Sequence, residues 1–112
     1  MNYEEMSDFE INSAVTSILY NCKGWELNWT NSCFFHCGID GSGYYSQSIN
    51  DYCNNPSDAW PVIVDNEINI EFQDGGFVNA WVDNDSGSFE SQIQKNPLRA
   101  AMICFLKMKD AE

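Results

Sequence analysis

The sequence predicts an α+β fold, a layered sandwich in which antiparallel β-hairpins and three helices alternate in the order α-ββ-α-ββ-α. Three observations carry this expectation. Ser7-Asp8-Phe9-Glu10 and Asn96-Pro97 are helix starts, one a capping box and the other a cap followed by proline. Residues 52–72 pass from a polar turn through a short amphipathic helix into an alternating strand. Gly75-Gly76 lies between two apolar runs and supplies the positive φ values of a hairpin turn. Helices segregated from antiparallel hairpins pack as layers. With 112 residues, 44% of them hydrophobic and 14% aromatic, the chain can bury a core as one domain spanning 1–112.

The elements follow in order. Met6 and Ile11 flank the capping box at the staple positions, and Ile11, Val15, Ile18 and Cys22 continue at helical spacing with Ala14 beside them. Gly24 is the expected stop. Trp25, Leu27 and Trp29 alternate with Glu26 and Asn28 as a strand, and Thr30-Asn31-Ser32 turns the chain. Residues 33–39 form a second strand, apolar on both faces at Cys33-Phe34-Phe35 and therefore expected at an inner position. Asp40-Gly41-Ser42-Gly43 turns again, and Tyr44-Tyr45-Ser46-Gln47-Ser48-Ile49 fits a third strand or a loop equally.

Asn54-Asn55-Pro56 is a turn, because proline drives the residue before it out of the α region. Ser57 is the expected cap of a helix opening at Asp58, with Pro61 near its first turn and Trp60, Ile63 and Val64 on one face. Asn66 ends it. Ile68, Ile70 and Phe72 alternate with Asn69 and Glu71 as a half-buried strand. The return strand, 77–82, carries Phe77 and Trp81 on one face and Val78, Ala80 and Val82 on the other, with both faces expected to be covered. Residues 83–87 turn, and 88–93 form a short edge strand. The last helix carries Leu98, Ala101, Met102, Phe105 and Leu106 as a wide apolar stripe, with Lys107 and Lys109 at its negative end.

Charge narrows the possible partners. Seventeen acids against five bases give a formal net charge of −12. All five bases (Lys23, Lys95, Arg99, Lys107 and Lys109) lie outside 24–94, and eleven acids lie inside it. Such a field repels free nucleic acid and steers a basic protein surface inward. It also keeps a small protein soluble, which is the plainer reading. Met1-Asn2-Tyr3-Glu4-Glu5 has no apolar h-region and no run approaches membrane length, so a cytosolic protein with no membrane partner is expected. The odd count of five cysteines is then expected to be reduced.

No motif spells out a chemistry. Cys33, His36 and Cys37, with Cys22 and Cys53 available, offer soft ligands, but Cys33 and Cys37 are four apart in a strand rather than in a Cys-x2-Cys knuckle, so no metal is expected. Asp83-x-Asp85-x-Gly87-x-x-Glu90 departs from calcium-loop spacing and reads as a solvated turn. His36 is the one imidazole, and its strand neighbour Cys37 points to the opposite face, so no enzyme and no cofactor is expected. One cluster has pocket-like chemistry: Tyr52, Asn54, Asn55, Ser57, Asp58 and Trp60, with Arg99 adding a positive charge. The plainer and favoured reading is that these groups cap the central helix and satisfy one another, with Trp60 in the core.

Three segments together resemble a known family: M-N-Y-E-E-M-S-D-F-E-I-N at the start, Y-C-N-N-P-S-D-A-W-P-V-I-V-D-N-E-I in the middle and N-P-L-R-A-A-M-I-C-F-L at the end. They are similar to the NinX-like proteins of lambdoid phages and prophages, specifically in Asp-Ala-Trp-Pro and Pro-Leu-Arg-Ala-Ala. A looser architectural similarity is to phage α/β/α sandwich domains. Residues 27–48 match neither. The resemblance implies a phage-encoded accessory protein in the host cytoplasm, and it implies no activity. The leading expectation is a non-enzymatic protein that binds a host protein with a basic surface, such as a nucleic-acid-binding or defence factor, through Glu67, Glu71, Asp74, Asp83 and Asp85. The alternatives are a small-ligand or nucleotide sponge at the 54–60 turn, and a homo-oligomer, with a dimer surface at Tyr44 and Tyr45.

Overall fold

The helix that the rest of the chain packs around is the last one. In the computed structural model, which describes residues 2–37 and 43–112 (for Cys37, the backbone alone), this helix runs Pro97–Asp110. Each residue from 100 to 106 is buried, and so is Met108. Asn96 caps it, with the side-chain oxygen accepting from the Leu98 N–H at 2.9 Å and the Arg99 N–H at 3.2 Å. Pro97 fills N1, where the missing N–H is harmless. In chain order the elements are α1 (Asp8–Tyr20), β1 (Glu26–Asn28), β2 (Cys33–Cys37), β3 (Tyr44–Ser48), α2 (Pro56–Asp65), β4 (Asn69–Gln73), β5 (Phe77–Asn84), β6 (Gly87–Glu90) and α3 (Pro97–Asp110). A single 3-10 turn, Tyr3–Glu5, precedes α1. The fold is α+β with three helices, as expected, but each expected hairpin gains a strand, and the order is α-βββ-α-βββ-α.

The second sheet, ordered β4-β5-β6 and antiparallel, lays Val78, Ala80 and Val82 of β5 on α3. On the other side of α3 lie Ile11 and Val15 of α1 and Ala59, Val62 and Ile63 of α2. The layers are therefore sheet, α3, then α1 with α2. The β4–β5 turn is a 3-10 turn, with Gly75 at φ 82° and Gly76 at φ 80°, which side-chain-bearing residues rarely adopt. After β6 the chain bulges. Glu90 faces Trp81 and Gln94 faces Val78, so four steps on one strand match three on the other, and Gln92 and Ile93 are left outside. The expected edge strand over 88–93 is thus Gly87–Glu90.

The first sheet, ordered β1-β2-β3, pairs Asn28 with Cys33 and Cys33 with Ser48. The tyrosine-bearing segment resolves as its third strand, and β2 holds the inner position. Even so, none of its described residues joins the core. It is tied to the body by the Phe9 and Trp29 rings, 4.5 Å apart, and stands out as an arm. The molecule measures 54 × 31 × 25 Å, and its radius of gyration of 15.1 Å exceeds the value of about 13 Å for a compact chain of this length. Tyr44 stacks on Phe35, and Tyr45 on His36, from opposite faces of this sheet. The turn expected at Asp40-Gly41-Ser42-Gly43, and the strand extension at residues 38–39, lie outside the described residues except for Gly43.

Several local expectations are corrected. Helix α1 stops at Tyr20 because Asn21, at φ 54°, takes the left-handed conformation, and Gly24 serves the next turn instead. Its buried face is Ile11, Asn12, Val15 and Thr16, while Ile18 overhangs the core. Asn55, not Ser57, caps α2, accepting from the Ser57 N–H at 3.0 Å, so the helix opens at Pro56 and Pro61 falls in its interior. The helix starts two residues earlier than expected, and packing against α3 buries Ala59, Val62 and Ile63 rather than Trp60, Ile63 and Val64. Trp60 is 61% exposed and Val64 is exposed too, so neither belongs to the core. Phe72 is exposed at the edge strand β4. The second face of β5 is only partly covered: Phe77 and Asp83 are exposed on it and Trp81 is half-buried, while Asn79 between them is buried.

Candidate functional site

Asn54 and Arg99 of the expected cluster do meet, in a knot where the N-termini of α1 and α3 converge on the 51–54 turn. The Arg99 guanidinium donates from Nη1 to Asp8 Oδ1 at 2.7 Å, from Nη2 to the Glu4 and Met6 carbonyls at 3.1 and 2.6 Å, and from Nε to Gln94 Oε1 at 3.2 Å. Asn96 Nδ2 donates to the Cys53 carbonyl at 2.6 Å and to Asn54 Oδ1 at 3.2 Å. Asn12 donates from Nδ2 to Asp51 Oδ1 at 2.9 Å, and its Oδ1 accepts the Cys53 N–H at 3.0 Å. Asn54 Nδ2 donates to Asp51 at 3.0 Å and to Asp8 at 3.2 Å. The polar groups are spent on one another, which is what a junction of helix ends needs.

Cys53 lies beneath the knot. Burial, with Asp8 adding to it against the opposing pull of Arg99, pushes its thiol up to about 12, and burial does the same for Cys104. Both values stand above the ordinary 9.0. The unfolded chain therefore loses these protons first, so stability present below pH 9 falls as pH rises from 9 towards 12. Urea midpoints should drop progressively over that window. A companion readout is thiol labelling at pH 8, which should modify half-buried Cys33 quickly and Cys22, Cys53 and Cys104 only as the protein unfolds.

The rest of the expected ligand cluster is dispersed. Asn55 is used as the α2 cap. Tyr52, Ser57 and Asp58 line a cleft of about 370 Å³ between the end of α1 and α2, together with Tyr20 and Asp65. Burial first, and then the neighbouring Tyr20, raises the Tyr52 hydroxyl above its usual range. Trp60 is not among the residues lining this cleft. Among the described residues no three His, Cys, Asp or Glu side chains gather to hold a metal ion.

The expected acidic set is also divided by the register of the second sheet. Glu71 sits opposite Asn79, Trp81 lies between Asn69 and Glu90, and Asp83 faces Ser88. Side chains alternate, so Glu71, Asp83 and Glu90 ring Trp81 on the face turned away from α3. They line a cavity of about 330 Å³ with Trp81 and Asn79. Asp74 lies in the β4–β5 turn at one end of the sheet, with Glu67 before β4 and Asp85 in the β5–β6 turn at the other. None of Glu71, Asp83 and Glu90 is in an ion pair with a described residue. Sequence reasoning missed Trp81, Asn79 and Glu90 as site residues. The signal was present in the two hairpin turns: Gly75-Gly76 sets the register of Glu71 against Asn79, and the turn at Asp85-Ser86 sets that of Trp81 against Glu90.

No curated protein matches the chain. Among solved structures it is similar to a phage protein from Bacillus cereus ATCC 14579, with a TM-score of 0.67 and 19% identity over 94% of this chain and 89% of that one. At that identity the likeness is one of fold. No described helix is long and apolar enough to cross a membrane. The family model described as Bacteriophage P22, NinX matches residues 2–109, nearly the whole length, and the chain belongs to that family.

Proposed function

We propose that this protein is a non-catalytic accessory factor that binds a partner with a basic surface through the outer face of its second sheet. The observation that carries the reading is the ring of Glu71, Asp83 and Glu90 around Trp81 on a sheet face that the described chain leaves open. A charged face of one sign accelerates encounter with the opposite sign and disfavours like-charged partners, nucleic acid included. The family places the protein in phage biology, so a host protein is the fitting partner class, and nucleic-acid-binding or defence factors carry basic faces of the required kind. The α1–α2 cleft is the weaker candidate. Its lining includes Asp58 and Asp65 and no Lys or Arg, which suits no phosphate-bearing ligand.

The test is capture from host lysate at low and high salt, with the wild type beside a Glu71→Lys/Asp83→Lys/Glu90→Lys variant. All three side chains are exposed, so the variant should fold. A basic protein held by the wild type at low salt, released at high salt and bound at least about tenfold more weakly by the variant is the expected result. A partner retained equally by both proteins at both salt levels would refute the reading.

A further inference from the structure

The cavity on the outer face of the second sheet is more specific than an acidic patch needs to be. It is lined by Trp81 and by three carboxylates on three different strands, close to Trp81 in the register. Trp81 is half-buried and presents part of its ring to the cavity. Beside it Asn79 is only 8% exposed. Its Oδ1 accepts from Gln73 Nε2 at 2.8 Å, which leaves the Nδ2 donors with no partner among the described residues. These donors are reachable from the cavity and can take an acceptor from outside. A second cavity, lined by Gln73, Asn79, Glu90, Ile93 and, from α3, Lys107, adjoins the first through Asn79 and Glu90, so the groove runs on from the acidic cavity past Asn79 towards the sheet edge.

We propose that this groove takes an extended, arginine-bearing segment of the partner, with the guanidinium stacked on Trp81 between Glu71, Asp83 and Glu90, and a backbone carbonyl accepting from Asn79 Nδ2. The inference rests on the acidic-face reading and names what that face selects. Arginine fits better than lysine for two reasons. A planar guanidinium lies flat on an indole while its edge N–H groups reach carboxylates in the same plane. An ammonium is a compact, strongly hydrated charge that can satisfy only part of that geometry. The amide at Asn79 adds a demand that free arginine meets poorly and a peptide meets well, since a main-chain carbonyl lies within a few ångströms of the side chain's root.

The experiment compares an amidated Ser-Gly-Arg repeat peptide with a Ser-Gly-Lys repeat of the same length and charge, titrated into the full chain at low salt. Amide and indole resonances are followed by NMR, with the Trp81 indole assigned from its disappearance in Trp81→Phe. The arginine peptide should bind about fivefold more tightly, and should shift the Trp81 indole and the Asn79 side-chain amide first. Trp81→Leu should reduce the preference to near unity while leaving salt-dependent binding of both peptides in place. Trp81→Phe, which keeps a ring, should retain part of it, and dispersed spectra of both variants show that they are folded.

Equal affinity of the two peptides, unchanged in Trp81→Leu, overturns the arginine site and leaves the acidic-face reading standing. Shifts confined to residues away from the groove overturn the site as well. Absence of binding by either peptide, with no difference between wild type and the triple charge reversal, removes both.

Discussion

Phe105→Ala should lower the free energy of unfolding by about 4 kcal/mol, the largest effect expected from a single truncation in this chain. Phe105 is 1% exposed in the helix that every other layer packs against. Its ring lies in the shared core of α1, α2, α3 and the second sheet, so truncation removes contacts on several sides at once. No single neighbour can move to fill the space without leaving another partner, and the cavity contribution adds in full to the lost transfer energy. Domains of this size are stable by about 5–15 kcal/mol, so the variant should be marginal at physiological temperature. Urea denaturation should show a lower midpoint with an unchanged slope. The control is Trp29→Ala in the arm, where a large ring is mostly exposed and outside the core cluster. Equal losses in the two variants would mean that α3 is not the centre of the core.

Arg99→Met should cost about 3 kcal/mol, although its stem is conserved in volume. The loss comes from what the guanidinium leaves behind. The Glu4 and Met6 carbonyls lose their donor, Gln94 loses a partner, and the Asp8 pair is broken. The Arg99 side chain is 15% exposed and that of Asp8 44%. The ion pair is therefore partly hydrated, and the carbonyl contacts should dominate. Two outcomes separate these contributions. Asp8→Asn should lose much less than Arg99→Met, about 1 kcal/mol. The Arg99→Met loss should persist at high salt, because neutral carbonyls are not screened. Arg99→Lys should recover under half of it, since one ammonium cannot span four acceptors on three segments. A loss that vanishes in high salt would show that the pair with Asp8, not the clamp on the 3-10 turn, was the main contribution.

Both effects arise at α3, which the sequence marks by a wide apolar stripe but not as the central helix. Residues 52–72 have their elements in the expected order, but the helix buries a different face from the expected one. Pro56 at N1 moves the cap from Ser57 to Asn55, and packing against α3 buries Ala59, Val62 and Ile63 and leaves Trp60 in water. The acidic residues were legible one by one. Their grouping depended on which strand faces which, and so on the registers of both hairpins and on a face of β5 that is only partly covered.

The features legible from the residues alone are local: the capping box at Ser7 and Glu10, the Asn96-Pro97 helix start, the β4 and β5 strands, and the hairpin glycines between them. Each of these depends on residues within one turn or one strand pair, where sterics and backbone hydrogen bonds leave few choices. The tertiary structure alone decided that α3 lies between sheet and helices, that the first sheet stands outside the core, and that Glu71, Asp83 and Glu90 surround Trp81. Those outcomes follow from which apolar faces cover one another. Covering is non-directional, so many pairings satisfy a given pattern of faces until the whole chain is packed.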